Sequence, residues 1–275
     1  MKKSCAKLNL LKIYSIPYEK TFARDKLKTR EKDTSPIERI LIIMPTYNER
    51  DNIERIVPAV LAQDERINML IIDDGSPDGT GEIADKIAAD NNRVNVLHRE
   101  GKLGLGTAYV MGFKYSLEHN YDLTFEMDAD FSHDPSYLPV MIKTAEDGAD
   151  MVVGSRWVKG GGIENWPKNR ERLSRWASKY SQIITGLPVH DCTAGFQAFR
   201  RRVLQEIDLD RIHSDGYSFQ IETKFKVWRK GFLIKEVPII FRDRVHGESK
   251  INKKIVYEAF FMVWWLRLEA LFGRI

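Results

Sequence analysis

The chain has little cysteine. Its 275 residues include two, Cys5 and Cys192, with no C-x-x-C pair and no histidine nearby at ligand spacing. A disulfide framework and a structural zinc site are therefore not expected, and a reducing cytosol is the favoured setting. Long apolar runs are also absent. The best candidate, "AFFMVWWL" at 259–266, has eight residues before Arg267, far short of the roughly 20 that span a bilayer. The opening "MKKSCAKLNLLKIYSIPYEK" begins like a secretory leader, but Lys12 interrupts its apolar stretch and no small-x-small cleavage site follows. Glycine is missing behind the first strand candidate, "RILIIMP", where a dinucleotide-binding fold would place G-x-G-x-x-G. "GKLGLGTAY" fits neither that spacing nor a P-loop, which disfavours NAD-linked and ATPase chemistry; its glycines (Gly101, Gly104, Gly106) suit a backbone passing close to a ligand. No internal repeat and no Ser-His-Asp constellation is evident.

What is present describes a folded globular chain. Hydrophobic residues make up 43% and charged residues 30%, which excludes disorder throughout. The net charge of +4 is unevenly laid out. Residues 1–35 hold ten Lys/Arg against four Asp/Glu, and residues 224–275 hold twelve against five, so the middle is distinctly acidic. A basic C-terminal end beside an acidic centre suggests an anionic partner docked against a metal-bearing site; nucleic acid is not among the expected partners. Residues 1–36 read as a basic, poorly packed extension, with a membrane-surface tether as the alternative.

From Ile40 onward, strand-like and helix-like segments alternate. "RILIIMP", "NMLIIDD", "VNVLH", "YDLTFEMD" and "ADMVVGS" are buried-strand runs. Between them lie segments of helical spacing such as "RDNIERIVPAVLAQ" and "TAYVMGFKYSLEH". This order predicts an α/β fold with a Rossmann-like, mostly parallel sheet and helices on both faces. Ligands in such sheets sit beyond the carboxyl ends of strands. That is where Tyr47/Asn48/Glu49, Asp73/Asp74, Asp128/Asp130 and Ser155/Arg156 all fall. After residue 158 comes a glycine-rich loop, then a basic helix carrying Arg170, Arg172 and Arg175, and last an aromatic helix over 255–272. No linker marks off a second domain; 37–250 is expected to be one catalytic domain, followed by the aromatic segment 251–275.

Asp128 and Asp130, in "TFEMDADFSHDP", stand at i and i+2, so in extended backbone they face the same way. Paired hard oxygens suit Mg²⁺ or Mn²⁺, which would in turn hold a nucleotide diphosphate. "DADFS" also fits a D-x-D-x-[ST] phosphatase whose first Asp is the nucleophile, although that motif normally ends the first strand of its domain and here three strands precede it. Asp73 and Asp74 suit a base or ribose, or the capping of the "GSPDGT" turn. Arg156 and the later arginines could bind phosphate bidentately. Arg244 and Lys250 flank the glycine of "RVHGESK", an arm able to fold over a diphosphate. His246 reads as a loop residue, and His133 remains open between ligand and helix entry.

Taken together, "MPTYNERDNI", "IIDDGSPDGT", "KLGLGTAY", "MDADFSHDP", "GSRWVKGGG", "SDGYSFQIE" and "VPIIFRDRVHGESK" resemble the dolichol- or polyprenol-phosphate mannose synthases, GT-A glycosyltransferases of family 2. The resemblance runs from about Ile40 to Lys250. It implies inverting transfer of mannose from GDP-mannose to a polyprenyl phosphate with Mg²⁺ or Mn²⁺. By position, it implies that Pro45, Tyr47, Glu49, Ile72 and Asp74 hold the nucleoside, and that Asp128, Ala129 and Asp130 hold the diphosphate. Asp128 and Asp130 would bind metal, with Ser132 standing where some relatives use Gln. Arg156, Arg244 and Lys250 would contact phosphates, and Ser174 with Arg170 or Arg172 would meet the acceptor. Asp128, Asp130 and Arg156 are the expected catalytic residues. A UDP-sugar glucosyltransferase is the alternative within the class. The chemistry fits independently, because a phosphate monoester with a second pKa near about 6 is already nucleophilic at neutral pH and needs no strong general base. A lipid acceptor calls for a peripheral position at the cytoplasmic face of a membrane, through the aromatic helix or a membrane-anchoring partner subunit.

Overall fold

The run "ILIIMPT" forms β1 (Ile40–Thr46) and "INMLIID" forms β2 (Ile67–Asp73), buried on both faces except at Pro45 and Asn68. β-branched side chains on alternate faces suit a central strand, and here both faces are covered. The computed structural model describes residues 30–212, 214–243 and 253–272. After β1 come α1 (Arg50–Leu61), β2, α2 (Thr80–Asp90), β3 (Val94–His98), α3 (Leu105–Glu118) and β4 (Leu123–Glu126). They are followed by α4 (Leu138–Glu146), β5 (Met151–Ser155), β6 (Gly162–Glu164), α5 (Lys168–Thr185), β7 (Gln197–Arg200) and α6 (Arg201–Glu206). The remainder is α7 (Gly216–Arg229), β8 (Ile234–Pro238), β9 (Ile240–Arg242) and α8 (Lys253–Leu271).

Seven strands make one sheet in the order β3-β2-β1-β4-β7-β5-β8, and β6 pairs with β9 in a small second sheet. All the main-sheet pairings are parallel except those of β7, which runs antiparallel between β4 and β5. The mostly parallel α/β fold expected from the sequence is thus the one observed. Alternation in β1 separates two core layers. Ile40, Ile42 and Met44 pack with Ile53, Ile56 and Val60 of α1 and Met141 of α4. Leu41 and Ile43 pack with Phe113 of α3 and Phe219 of α7. A third cluster, with Ile221, Phe225, Val263 and Leu266, seats α8 on α7.

Three sequence expectations change in detail. The glycine-rich stretch contributes to α3, which starts at Leu105, and "GGGIEN" contains the short strand β6. Residues 30–36, counted with the extension on sequence grounds, lie on the surface but are tied to the domain by polar bonds. Arg30 donates to both carboxylate oxygens of Glu206, at 2.5 and 2.7 Å, and its guanidinium lies 4.1 Å from the Phe232 ring. Asp33 sits between Arg200 and Arg202 at 3.4 and 3.3 Å. The expectation for residues 1–29 lies outside the described residues, as do those for Arg244, His246 and Lys250.

Candidate active site

β1 is flanked by β2 on one side and β4 on the other, so the chain reverses direction across the sheet at the β1/β4 carboxyl ends. Such switch points open a crevice. Tyr47, Asn48 and Glu49 leave β1 there, with Asn48 in the left-handed region at φ 59°. Its N–H donates to Ser76 Oγ (3.0 Å), and that of Glu49 donates to Thr80 Oγ1 (2.9 Å). Lys102 stacks its ammonium 4.6 Å from the Tyr47 ring. Pro45 and Tyr47 are half-buried, whereas Ile72 is fully enclosed in the second core layer.

The two acids at the β2 end have different tasks. Asp73 closes the following turn: it accepts from Ser76 N (3.0 Å), Ser76 Oγ (2.6 Å) and Thr46 Oγ1 (3.0 Å). Asp74 faces Arg99 in a buried ion pair of 3.1 Å. Burial pushes the Asp74 carboxyl up, with Arg99 opposing. Arg99, at the end of β3, was not singled out on sequence, although the same strand-end rule applied to "VLHRE" points to it. Two glycines of "GKLGLG", Gly104 and Gly106, let protein approach closely, whereas Gly101 faces open space. A Cβ on Gly104 (φ +102°) would lie 2.6 Å from Asp215 Oδ2, and one on Gly106 would lie 2.6 Å from Ser214 O.

The stretch after β4 folds back on itself. Met127 N–H still reaches Ile43 O of β1 at 3.1 Å, but Asp128 N–H donates to His133 Nδ1 at 3.1 Å. Ser132 N–H donates to Asp130 Oδ1 at 3.0 Å, and Phe131 between them adopts φ 61°, a strained value for an aromatic residue. Asp128 is half-buried; Ala129, Asp130 and Ser132 are buried. Tyr109 Oη points at Asp128 Oδ1 from 3.5 Å. Burial, and then the charge of Asp128, push the Tyr109 phenol well above its ordinary range, so it stays protonated as a donor.

Whether these residues suit a divalent cation can be judged from Ser132. Its Oγ is buried and has no hydrogen-bond partner. An orphan hydroxyl beside two carboxylates is a hard-oxygen set that fits Mg²⁺ or Mn²⁺. No group of three or more His, Cys, Asp or Glu able to hold a metal occurs among the described residues. The remaining ligands would therefore come from a nucleotide and water.

Arg156, at the end of β5, is 5% exposed and bound bidentately to the fully buried Asp191: Nε to Oδ2 and Nη2 to Oδ1, both at 2.7 Å. Nη2 also donates to Thr193 Oγ1 at 2.9 Å. Burial alone would lower the Arg156 pKa, but Asp191 more than offsets it, and Arg156 in turn holds the Asp191 carboxyl down against its own burial. Arg156 is thus committed to Asp191 through two of its three nitrogens. On α5, Arg170 and Ser174 share one stripe at i, i+4 spacing. Arg170 donates to Asp243 at 2.9 Å and stacks on Trp166 at 4.0 Å. Arg172 lies on the other side of the helix, exposed, with Nε donating to Lys168 O at 3.3 Å. Of the four expected acceptor residues, Arg170 and Ser174 thus share one stripe of α5, Arg172 lies off it, and Arg156 stands at the β5 end.

Sequence reasoning also missed a buried polar layer beneath the Asp128 loop. Glu126 Oε2 accepts from Gln197 Nε2 (2.8 Å) and Gln220 Nε2 (2.9 Å). Lys224 Nζ, fully buried, donates to Ala194 O (2.7 Å) and Gln220 O (3.1 Å). Burial raises Glu126 to about 7, opposed by the two amides, and lowers Lys224 to about 8, opposed by Glu126 and Asp191. Their positions on β4, β7 and α7 leave no short sequence motif to betray them.

On the outside, α5 and α8 share an aromatic seam. Trp176 stacks on Tyr180 at 5.2 Å, and Tyr180 on Phe260 at 5.0 Å; Trp264 Nε1 donates to Tyr180 Oη at 2.9 Å. Phe261, Trp265, Leu268 and Phe272 are exposed beside it. No helix among the described residues is long and apolar enough to cross a membrane.

The sheet is of the GT-A kind, with paired carboxylates at its switch point. The chain belongs to glycosyl transferase family 2, which it matches over residues 41–208. It is 46% identical over 235 residues to a polyprenol monophosphomannose synthase of Mycolicibacterium smegmatis, covering 84% of this chain and 89% of that protein. It is likewise 46% identical over 221 residues to an undecaprenyl-phosphate mannosyltransferase of Micrococcus luteus, covering 80% and 90%. Among solved structures it is similar to glucosyl-3-phosphoglycerate synthase from Mycobacterium tuberculosis in complex with Mn²⁺, UDP-glucose and phosphoglyceric acid. That match has a TM-score of 0.63 at 17% identity and covers 86% of this chain and 85% of that one. The same enzyme with Mn²⁺, UDP and phosphoglyceric acid gives 0.60 at 16% identity, covering 86% and 84%. At those identities the likeness concerns the fold.

Proposed function

We propose that the chain is a polyprenyl-phosphate mannosyltransferase that takes mannose from GDP-mannose. The observation that carries this is the 46% identity, across most of the chain, to proteins named for mannosyl transfer to prenyl phosphates. Asp128 and Asp130 at the β4 end supply the matching chemistry. Pro45, Tyr47, Glu49 and Asp74 border the nucleoside, with Ile72 behind them in the core, and Asp128, Ala129 and Asp130 border the diphosphate. Asp128 and Asp130, with the Ser132 hydroxyl, would hold Mg²⁺ or Mn²⁺, which when bound offsets the charge that builds on the departing diphosphate.

The acceptor phosphate is itself the nucleophile, so the protein's main task is to bring two anions together. Arg170 and Ser174 face the acceptor, with Arg156 beside them and Arg172 on the other side of α5, and Arg244 and Lys250 contact the phosphates. The Arg156–Asp191 pair fixes the guanidinium plane in advance. No step requires a buried base to take up a proton. The aromatic seam of α5 and α8 rests on the headgroups at the cytoplasmic face, with or without an anchoring partner subunit.

The test supplies GDP-mannose and UDP-glucose together with a short polyprenyl phosphate and Mg²⁺, and reads the lipid products by mass spectrometry after separation of the two hexoses. Mannosyl-phosphate lipid is expected. Glucosyl lipid alone would replace the mannose reading by the UDP-sugar one.

A further inference from the structure

His133 is a buried side chain that the proposed reaction does not use. Its ring is 2% exposed, stacked on Phe196 at 5.0 Å and 15°, and met edge-on by Phe241 at 5.6 Å and 76°. Nδ1 accepts the Asp128 backbone N–H at 3.1 Å, so the proton of the neutral ring resides on Nε2. The position of that bond matters. β4 ends at Glu126, Met127 is still tied to β1, and Asp128 N–H is the first donor after the ladder ends. Without His133 that amide would lose its partner at the point where the two carboxylates must be aimed.

An acceptor role requires a neutral imidazole. The N–H that Nδ1 receives from Asp128 and the apolar bracket of Phe196 and Phe241 both suit that form. Phe131 in the left-handed region and the Ser132 N–H bond to Asp130 tighten the same loop from inside. Four links therefore set the direction of two carboxylates: one imidazole nitrogen, one strained residue, one amide and the aromatic bracket.

We propose that His133 is a positioning residue for the diphosphate clamp. Nδ1 holds the Asp128 backbone, and through it the orientation in which Asp128 and Asp130 meet a divalent cation. This rests on the reading that those two carboxylates bind the cation and the donor diphosphate. Residues that orient ligands without touching the ion commonly change its affinity by about ten- to a hundredfold.

Two variants separate the acceptor from the packing. His133→Phe keeps an aromatic ring between Phe196 and Phe241 but offers no acceptor. His133→Asn loses the ring and retains an oxygen near the place of Nδ1. Binding of Mn²⁺ to the full chain, in the presence of GDP, is followed through the electron paramagnetic resonance signal of the free ion. The expected result is that His133→Phe weakens Mn²⁺ binding by about tenfold or more, while His133→Asn stays within about threefold of the parent. Mn²⁺ binding by His133→Phe equal to that of the parent would overturn the proposal, as would Asn and Phe variants weakened alike. If the parent chain with GDP binds no Mn²⁺, the clamp reading itself fails and takes this inference with it. Long-range nitrogen–proton correlation spectra of the parent provide an independent reading should His133→Phe not fold: an unprotonated Nδ1 is expected, and a proton on Nδ1 would contradict the proposal.

Discussion

Asp191 and Arg156 are both withdrawn from water and bind each other through two parallel hydrogen bonds. Removing one partner strands the other, and stranded buried charges cost about 3–5 kcal/mol. Asp191→Ala is therefore expected to lower stability by about that amount in urea unfolding, and a loss below about 1 kcal/mol would show that water reaches the pair. Next to it in sequence, Cys192 is buried and its thiol is pushed up to about 12, with burial the largest cause. The native protein should therefore leave Cys192 unmodified by iodoacetamide at neutral pH, while the unfolded chain reacts; mass spectrometry of the alkylated protein reads the difference. The site was partly legible at this scale. Asp128/Asp130 and Asp74 stand at strand ends, where the α/β order alone predicts ligands. Asp191 and Arg99 were hidden because their partners are tens of residues away, and His133 as an acceptor because the fold-back that brings it to Asp128, five residues earlier, leaves no period in the sequence.

Among the elements, β4, β7 and α7 meet in the Glu126–Gln197–Gln220–Lys224 layer. Lys224 titrates at about 8 in the folded protein against 10.5 in an exposed chain. Between those values the unfolded chain holds a proton that the folded one has released, so stability rises with pH across that window and is lowest below it. The slope from one such group is on the order of 1 kcal/mol per pH unit. Lys224→Met should remove that rise, seen as urea midpoints that change less between pH 8 and 10 than those of the parent. Equal slopes in the two proteins would place Lys224 in contact with solvent. The helices and parallel strands themselves were readable because apolar periodicity announced them. β6 and the antiparallel insertion of β7 were not, since a three-residue strand and a strand direction leave no period to detect.

For the whole molecule, the ends decide two outcomes. Removal of residues 1–29 is expected to leave transfer intact. Removal of residues 1–36 also deletes the Arg30–Glu206 pair and strips the buried Arg200 of its bonds to Ser35 O and Oγ at 3.2 and 3.1 Å. Exposed pairs contribute little, and hydrogen bonds to a charged group about 1.5–3 kcal/mol. The longer deletion should therefore melt several degrees lower than the shorter, as scanning calorimetry would read. Equal melting temperatures would mean that residues 30–36 add nothing to the fold. At the other end, Phe261 and Trp265 are 66% and 54% exposed on α8. The double variant Phe261→Ser, Trp265→Ser should cosediment less with phosphatidylglycerol vesicles at an unchanged melting temperature. Unchanged cosedimentation would take the aromatic seam out of the membrane account.

The central claim is that an oxygen of the acceptor lipid phosphate becomes bonded to the sugar. It is tested most directly with a polyprenyl phosphate whose terminal phosphate oxygens are isotopically heavy, incubated with the enzyme, GDP-mannose and Mg²⁺. Mass spectra of both products should show all the heavy oxygen retained in the mannosyl-phosphate lipid and none in the released GDP. Heavy inorganic phosphate without glycosyl lipid would instead mark Asp128 as a phosphatase nucleophile, and a glycosyl lipid that has lost heavy oxygen would contradict attack by the acceptor phosphate.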